Sequence, residues 1–200
     1  MMKRIVPFLL GFMVCSSLSL ADYSDGFITA GEYEYGVRLF NHDVLIVEGG
    51  GADIIEARDF SYLEVRYTST PLSNSGGIWD IVLGGDSELL YLDGETEEIT
   101  IGSNAEAVLK GGRIDYITNM QYVDELKNIS IYCQPGWSWL LDGNMEKIGI
   151  NGLWEDNTSF AINFINDVDY DPVWMNINVV PEPASFLLLG LGLVMFRRKR

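Results

Sequence analysis

The chain of 200 residues carries 13 lysines and arginines against 29 aspartates and glutamates, a formal net charge of −16. Such an acidic excess excludes a nucleic-acid binder that works by neutralising phosphates. With 48% apolar and 12% aromatic residues the chain also lies outside the range of acidic disordered polymers, so a folded core is expected. The charge is unevenly placed: residues 22–180 hold 28 acidic and 7 basic groups, a net of −21, while Lys3, Arg4, Arg197, Arg198, Lys199 and Arg200 stand in the two ends.

Residues 1–21 open with Lys3 and Arg4, continue with the mainly apolar run 5–14 and close on Ser19-Leu20-Ala21. Basic, apolar, then small is the order of a secretory signal peptide. Ten apolar residues rise only about 15 Å as a helix, too little for a stable anchor. Cleavage is expected between Ala21 and Asp22.

In the body, no stretch keeps apolar residues at helical spacing for three turns, whereas alternation is frequent, as in Leu63, Val65 and Tyr67 or Ile129, Ile131 and Cys133. Glycine-rich corners recur at Gly49-Gly50-Gly51, Gly84-Gly85-Asp86, Asp93-Gly94 and Gly111-Gly112, so the strands are short. Residues 81–94 lie over 99–112 at a shift of 18, with Gly84 on Gly102, Asp86 on Asn104 and Gly94 on Gly112. Ile117-Thr118 restarts the pattern another 18 on, and Ile55, Ala57, Ser61, Leu63 and Val65 fit the same frame 26 residues before Ile81. Spacing near 20 with glycine or asparagine corners predicts a small parallel β-helix-like solenoid over 22–136, of three or four coils from about Val44 to Ile131. The alternative is a β-sandwich whose hairpins share a length.

From Trp137 the pattern changes. Asn151-Gly152 between apolar flanks reads as a hairpin turn, Phe160, Ile162 and Phe164 as a further antiparallel strand after the 155–158 turn, and 173–180 as a last strand. Residues 137–180 are therefore expected to form an antiparallel β cap over the open end of the stack.

The inventory of reactive groups predicts no catalytic residues, no metal site and no cofactor. His42 is the only histidine, so no triad is expected to form around it. Cys133 is the only cysteine after residue 21, which excludes an intrachain disulfide in the processed chain and points to a buried structural thiol. Asp167, Asp169 and Asp171 alternate like the start of a calcium loop, but Pro172 and Asn178 stand where that loop needs glycine and glutamate. Gly49-Gly50-Gly51-Ala52-Asp53 is better read as a coil corner than as a calcium nonapeptide. The enzymatic alternative is a carbohydrate-active or carbohydrate-binding groove using carboxylates with Trp79, Tyr91, Tyr116 and Trp137. Seven basic groups on a body of −21 disfavour a polyanionic substrate.

At the end of the chain, Pro181-Glu182-Pro183 precedes an apolar run over 184–196 and the basic stop Arg197-Arg198-Lys199-Arg200. The prolines delay a helix until about Ala184, and the basic tetrad marks a cytoplasmic side. A membrane helix over 184–196 is expected, short at roughly 20 Å of rise. This tripartite end resembles the PEP-CTERM protein-sorting signal of Gram-negative bacteria, and 152–160 resembles the C-terminal hairpin of uncharacterised exported proteins with the same tail. The resemblance implies Sec export, transient inner-membrane anchoring with the C-terminus cytoplasmic, and processing by an exosortase near the 181–183 motif. It implies delivery to the cell surface or extracellular matrix, where exopolysaccharide or matrix components are the expected partners. A structural or binding role without catalysis follows as the expected function. Mass spectrometry of the processed protein is expected to find Asp22 as its first residue; an N-terminus at Met1 would overturn the signal-peptide reading.

Overall fold

The computed structural model describes residues 21–22, 25–69, 76–122 and 127–181. Among them the chain is mostly β, with parallel and mixed sheets, one 3-10 turn at Val173–Asn176 and no α-helix. The expected signal peptide and the expected membrane helix lie outside the described residues, except for Ala21. Within the described residues no helix is long and apolar enough to cross a membrane.

The strands alternate between two sheets. One contains β1 (Ala21–Asp22), β3 (Tyr33–Glu34), β4 (Val37–Leu39), β6 (Gly51–Ala57), β8 (Ile78–Leu83), β10 (Glu95–Gly102) and β12 (Arg113–Met120), then β16 (Ser159–Asn166), β15 (Lys147–Leu153) and β14 (Ser138–Leu141). The other runs from β2 (Asp25–Thr29) through β5 (Val44–Gly49), β7 (Tyr62–Thr68), β9 (Glu88–Tyr91), β11 (Glu106–Leu109) and β13 (Ile129–Cys133) to β17 (Ile177–Pro181). Each strand from β4 to β12 pairs in parallel with the next strand of its own sheet, so the chain crosses to the opposite sheet and returns. The hairpin pairing of a sandwich is not found there.

Register follows the internal repeat. Val37, Ile55, Ile81, Ile99 and Ile117 are successive partners in one sheet, and Leu45, Leu63, Leu89, Ala107 and Ile129 in the other. All are buried between the sheets, and each large aliphatic side chain in such a ladder contributes about 1.5–3 kcal/mol by leaving water. Parallel strands are ordinarily apolar on both faces because helices cover them. Here the crossover is another strand, only the inner face is covered, and alternation coexists with parallel pairing.

The corner after each strand of the first sheet is also stacked. Asn41, Asp59, Gly85 and Ser103 occupy it in successive rungs, and all four have positive φ, from 53° to 67°. Asn104 donates its side-chain N–H to Asp86 at 3.1 Å across adjacent rungs. Just inside that corner Ser61, Ser87 and Ala105 are buried, and the two hydroxyl oxygens have no hydrogen-bond partner. Glu88 N–H donates to the Ser61 carbonyl and Glu106 N–H to that of Ser87, each at 2.9 Å.

Three expectations need correction. Pairing extends well beyond Val44 and Ile131: β2 joins β5, and after an excursion β16 and β17 take the parallel places beside β12 and β13. Antiparallel pairing is confined to β14, β15 and β16. Asn151-Gly152 is not a turn but lies inside β15, where a Cβ on Gly152 would stand 3.0 Å from the Phe160 ring and from Trp137 Cβ. That glycine serves close aromatic packing, and Asn151 accepts from the Ser138 hydroxyl at 2.7 Å. The hairpin instead turns around Asp142, whose carboxylate accepts the Asn144 and Glu146 N–H groups. The expected last strand over 173–180 begins as the 3-10 turn, and only Ile177–Pro181 is extended.

The end of the stack is closed by aromatics. Trp137, Trp139, Trp174 and Val179 pack against the core, and the Lys147 ammonium lies 4.0 Å from the Trp174 ring centre and 4.7 Å from that of Trp139. Trp154 is buried, stacks on Phe160 at 4.2 Å and donates its indole N–H to the Gly112 carbonyl at 2.8 Å.

The stacked corner makes two opposite demands. A Cβ at Gly85 would meet the Asp59 amide nitrogen at 2.6 Å, so Gly85→Ala should destabilise by about 2–4 kcal/mol through left-handed strain and overpacking. Ser87→Ala, which places at that position the residue type of Ala105, should be neutral or stabilising by up to about 1 kcal/mol, because it removes an unpartnered buried hydroxyl. Urea unfolding of both variants checks the pair.

Candidate functional site

The strands of the first sheet break their own alternation. In β6, β8, β10 and β12 two consecutive residues turn outward, Asp53-Ile54, Trp79-Asp80, Glu97-Glu98 and Asp115-Tyr116, between buried neighbours on both sides. The partner registers pass over Trp79 and Glu97, consistent with a bend there in each strand. The bend raises an acidic and aromatic ridge along the outside of the sheet.

On this ridge Asp80, Glu98 and Tyr116 are successive register partners. Glu98 is fixed by two hydroxyl donors, Thr118 at 2.5 Å and Thr100 at 3.2 Å. At one end the Tyr33 hydroxyl donates to Asp53 at 2.5 Å, and burial with that carboxylate beside it pushes the Tyr33 phenol well above its ordinary value. Trp79 (41% exposed) and Tyr116 (38% exposed) present ring surface beside the carboxylates. Burial raises the Asp80 carboxyl above the ordinary range, and Glu98, Glu97 and Asp53 add to the shift. A surface of this kind offers fixed hydrogen-bond acceptors next to flat apolar rings.

The four arginines of the body are engaged by carboxylates of their own. Arg38 and Arg58 both reach Glu56, Arg66 bridges Glu48 and Glu64, and Arg113 holds Asp115 at 2.9 Å with Glu95 at 3.7 Å. Beside Arg113 an open groove of about 400 Å³ runs along the opposite corner, with Asp93, Glu95, Asp156 and Thr158 on its walls. Hydrogen bonds from the Thr158 hydroxyl and amide hold the Asp156 carboxyl below its ordinary range. Among the described residues no three His, Cys, Asp or Glu side chains are placed to hold a metal ion.

The four aromatics available to the carbohydrate alternative are dispersed. Trp79 and Tyr116 face outward, Trp137 is part of the end closure, and Tyr91 is buried between the sheets, where its hydroxyl accepts from Thr96 at 3.0 Å. Burial pushes the Tyr91 phenol far up, so it remains a neutral structural group. His42 is exposed and stacks on Phe60, while Cys133 is buried, with its thiol raised by burial and by Glu155. The 49–53 segment is the corner from β5 into β6. Asp167 caps its own loop by accepting the Asp169 N–H.

Of the processing residues, Ala21 and Asp22 form β1 and pair with Val37 and Arg38 at the edge of the first sheet. Pro181 is the last residue of β17 and the register partner of Cys133. Glu182, Pro183, Arg197, Arg198, Lys199 and Arg200 lie outside the described residues.

The Asp80 environment gives a signed pH effect. A carboxyl whose folded pKa is raised binds its proton more readily folded than unfolded, so its stabilising contribution is present at low pH and lost as pH rises through the folded value. Asp80→Asn should therefore raise stability at pH 7, with the gain vanishing below the ordinary aspartate range, and Glu98→Gln should lower the Asp80 midpoint in an NMR titration. A midpoint at or below the ordinary value would contradict this.

No curated protein and no solved structure matches the chain. Residues 179–200 do match a known pattern, one that begins within β17 and runs through the apolar and basic end. The chain thus carries a PEP-CTERM protein-sorting motif over residues 179–200.

Proposed function

We propose that this protein is exported, held transiently in the inner membrane by its tail with the C-terminus cytoplasmic, and released by an exosortase to the cell surface or extracellular matrix. There its body serves a structural or binding role rather than a catalytic one. The sorting motif at 179–200 carries this reading, since the motif implies exosortase-dependent export. The body suits the destination: parallel rungs repeat from β4 to β12, which supports a small two-sheeted β-solenoid, and a net −21 keeps such bodies dispersed. Residues 1–21 act as the signal peptide in this scheme, and 184–196 as the membrane helix.

A second reading is favoured by one observation, the exposed Trp79 and Tyr116 rings flanking Asp80 and Glu98 on the outward ridge. Rings of this kind stack on sugar faces while carboxylates accept hydroxyl hydrogen bonds, so the binding role would be to neutral glycans of the matrix. Expression in a Gram-negative host with and without an exosortase tests the main reading. The tail should be lost and the body found outside the cell only when the enzyme is present; full-length protein remaining in the cytosol of the complete host would sink it. Retention on neutral glycan columns that survives Trp79→Ala with Tyr116→Ala would remove the second.

A further inference from the structure

The sorting motif and the folded body share residues. The match begins at residue 179, and Val179, Val180 and Pro181 are also the last three residues of β17, the terminal strand of the second sheet. Only Glu182 and Pro183 separate this strand from the apolar run at Ala184, a reach of about 10 Å even when fully extended. An enzyme that processes the motif therefore works within about two strand spacings of the sheet edge.

β17 is firmly held on one side. It pairs with β13 over Ile177–Pro181, Ile177 is buried and Val179 packs against the core. Just before it, Asn176 is buried, accepting the Asn128 N–H at 2.8 Å and donating to the Asn119 side chain at 3.3 Å. Releasing the strand would expose these groups at every turnover. The other edge has no strand partner among the described residues, and alternate backbone groups of a strand point to each edge. Such an edge is what strand-addition recognition uses, where main-chain hydrogen bonds supply affinity.

Resting on the export reading above, we propose that the open edge of β17 is the docking surface of the sorting enzyme, which takes up Ile177–Pro181 by strand addition while β13 keeps the opposite edge. The body is then part of the recognised substrate, and not cargo hung on a self-sufficient tail.

Two variants of the full chain in an exosortase-bearing host test this, with tail loss followed by mass spectrometry of membranes. A six-residue Gly-Ser insertion between Val180 and Pro181 separates the Pro181-Glu182-Pro183 segment and all that follows it from the edge formed by 177–180 and should slow processing at least tenfold. Processing at the wild-type rate or faster would overturn the proposal. Ile131→Cys with Val179→Cys, register partners placed in a Cys133→Ala background, pins β17 to β13 when oxidised. The oxidised form should be processed within twofold of the reduced form. Arrest on oxidation with recovery on reduction would show that the strand must leave, and would also overturn the proposal. The insertion falls before the last residue of β17, beyond the buried Ile177 and the packed Val179, so it remains decisive if the cysteine pair unfolds the body. A wild-type chain that keeps its tail would remove the export reading and this proposal together, whereas wild-type cleavage with an unaffected insertion variant removes the docking proposal alone.

Discussion

Everything in this body depends on parallel rungs stacking in register, so that like residues fall on like residues. The ladder Val37, Ile55, Ile81, Ile99 and Ile117 sets the inward face of one sheet, and the ladder from Leu45 to Ile129 sets that of the other. A slip of one residue in either would turn an aliphatic ladder into water and bring carboxylates inside. Corners are bound by the same constraint. The left-handed position shared by Asn41, Asp59, Gly85 and Ser103 recurs because each corner rests on the backbone of the one before, as the near contact of Gly85 with Asp59 shows.

The constraint acts on the outer surface in a different way. Because β6, β8, β10 and β12 bend at the same place, the outward residues of the bend are also stacked, and a local backbone irregularity becomes a continuous ridge. Burial raises the Asp80 carboxyl, and stacking, which brings Glu98 beside it, adds to the shift. The arginines answer similar crowding elsewhere, each lying across carboxylates of its own or an adjacent strand. The ridge that β6, β8, β10 and β12 turn toward solvent is acidic, with the Trp79 and Tyr116 rings set in it.

The end of the stack and the start of the sorting motif share one strand. Sheet one continues past the last rung through β15 and β14, and the Trp139, Lys147 and Trp174 cluster closes the core there. Among the described residues sheet two stops at β17, the strand that holds the residue opening the sorting motif. The same strand thus completes the core and begins the address.

Much of the fold was legible in the residues themselves. The shift of 18, and the 26 before Ile81, are the observed registers of Ile55, Ile81, Ile99 and Ile117, because a repeated inward pattern can stack in only one phase. The sorting motif was equally legible, since its order of prolines, apolar run and basic stop is local. The sequence could not place β16 and β17 in the parallel sheets, because their partners β12 and β13 lie 47 and 48 residues away in register, beyond any repeat. Nor could it separate Trp79 from Tyr91. Strict alternation from Ile81 points Trp79 inward, and only the bend turns it out, while Tyr91 follows the alternation and is buried. Asn151-Gly152 carries the composition of a turn, yet both residues lie inside β15, where the Phe160 ring and the Trp137 Cβ occupy the space beside Gly152. Local pattern therefore determined strands, phase and address, whereas long-range packing decided which residues meet, which face water, and that the address begins inside the sheet.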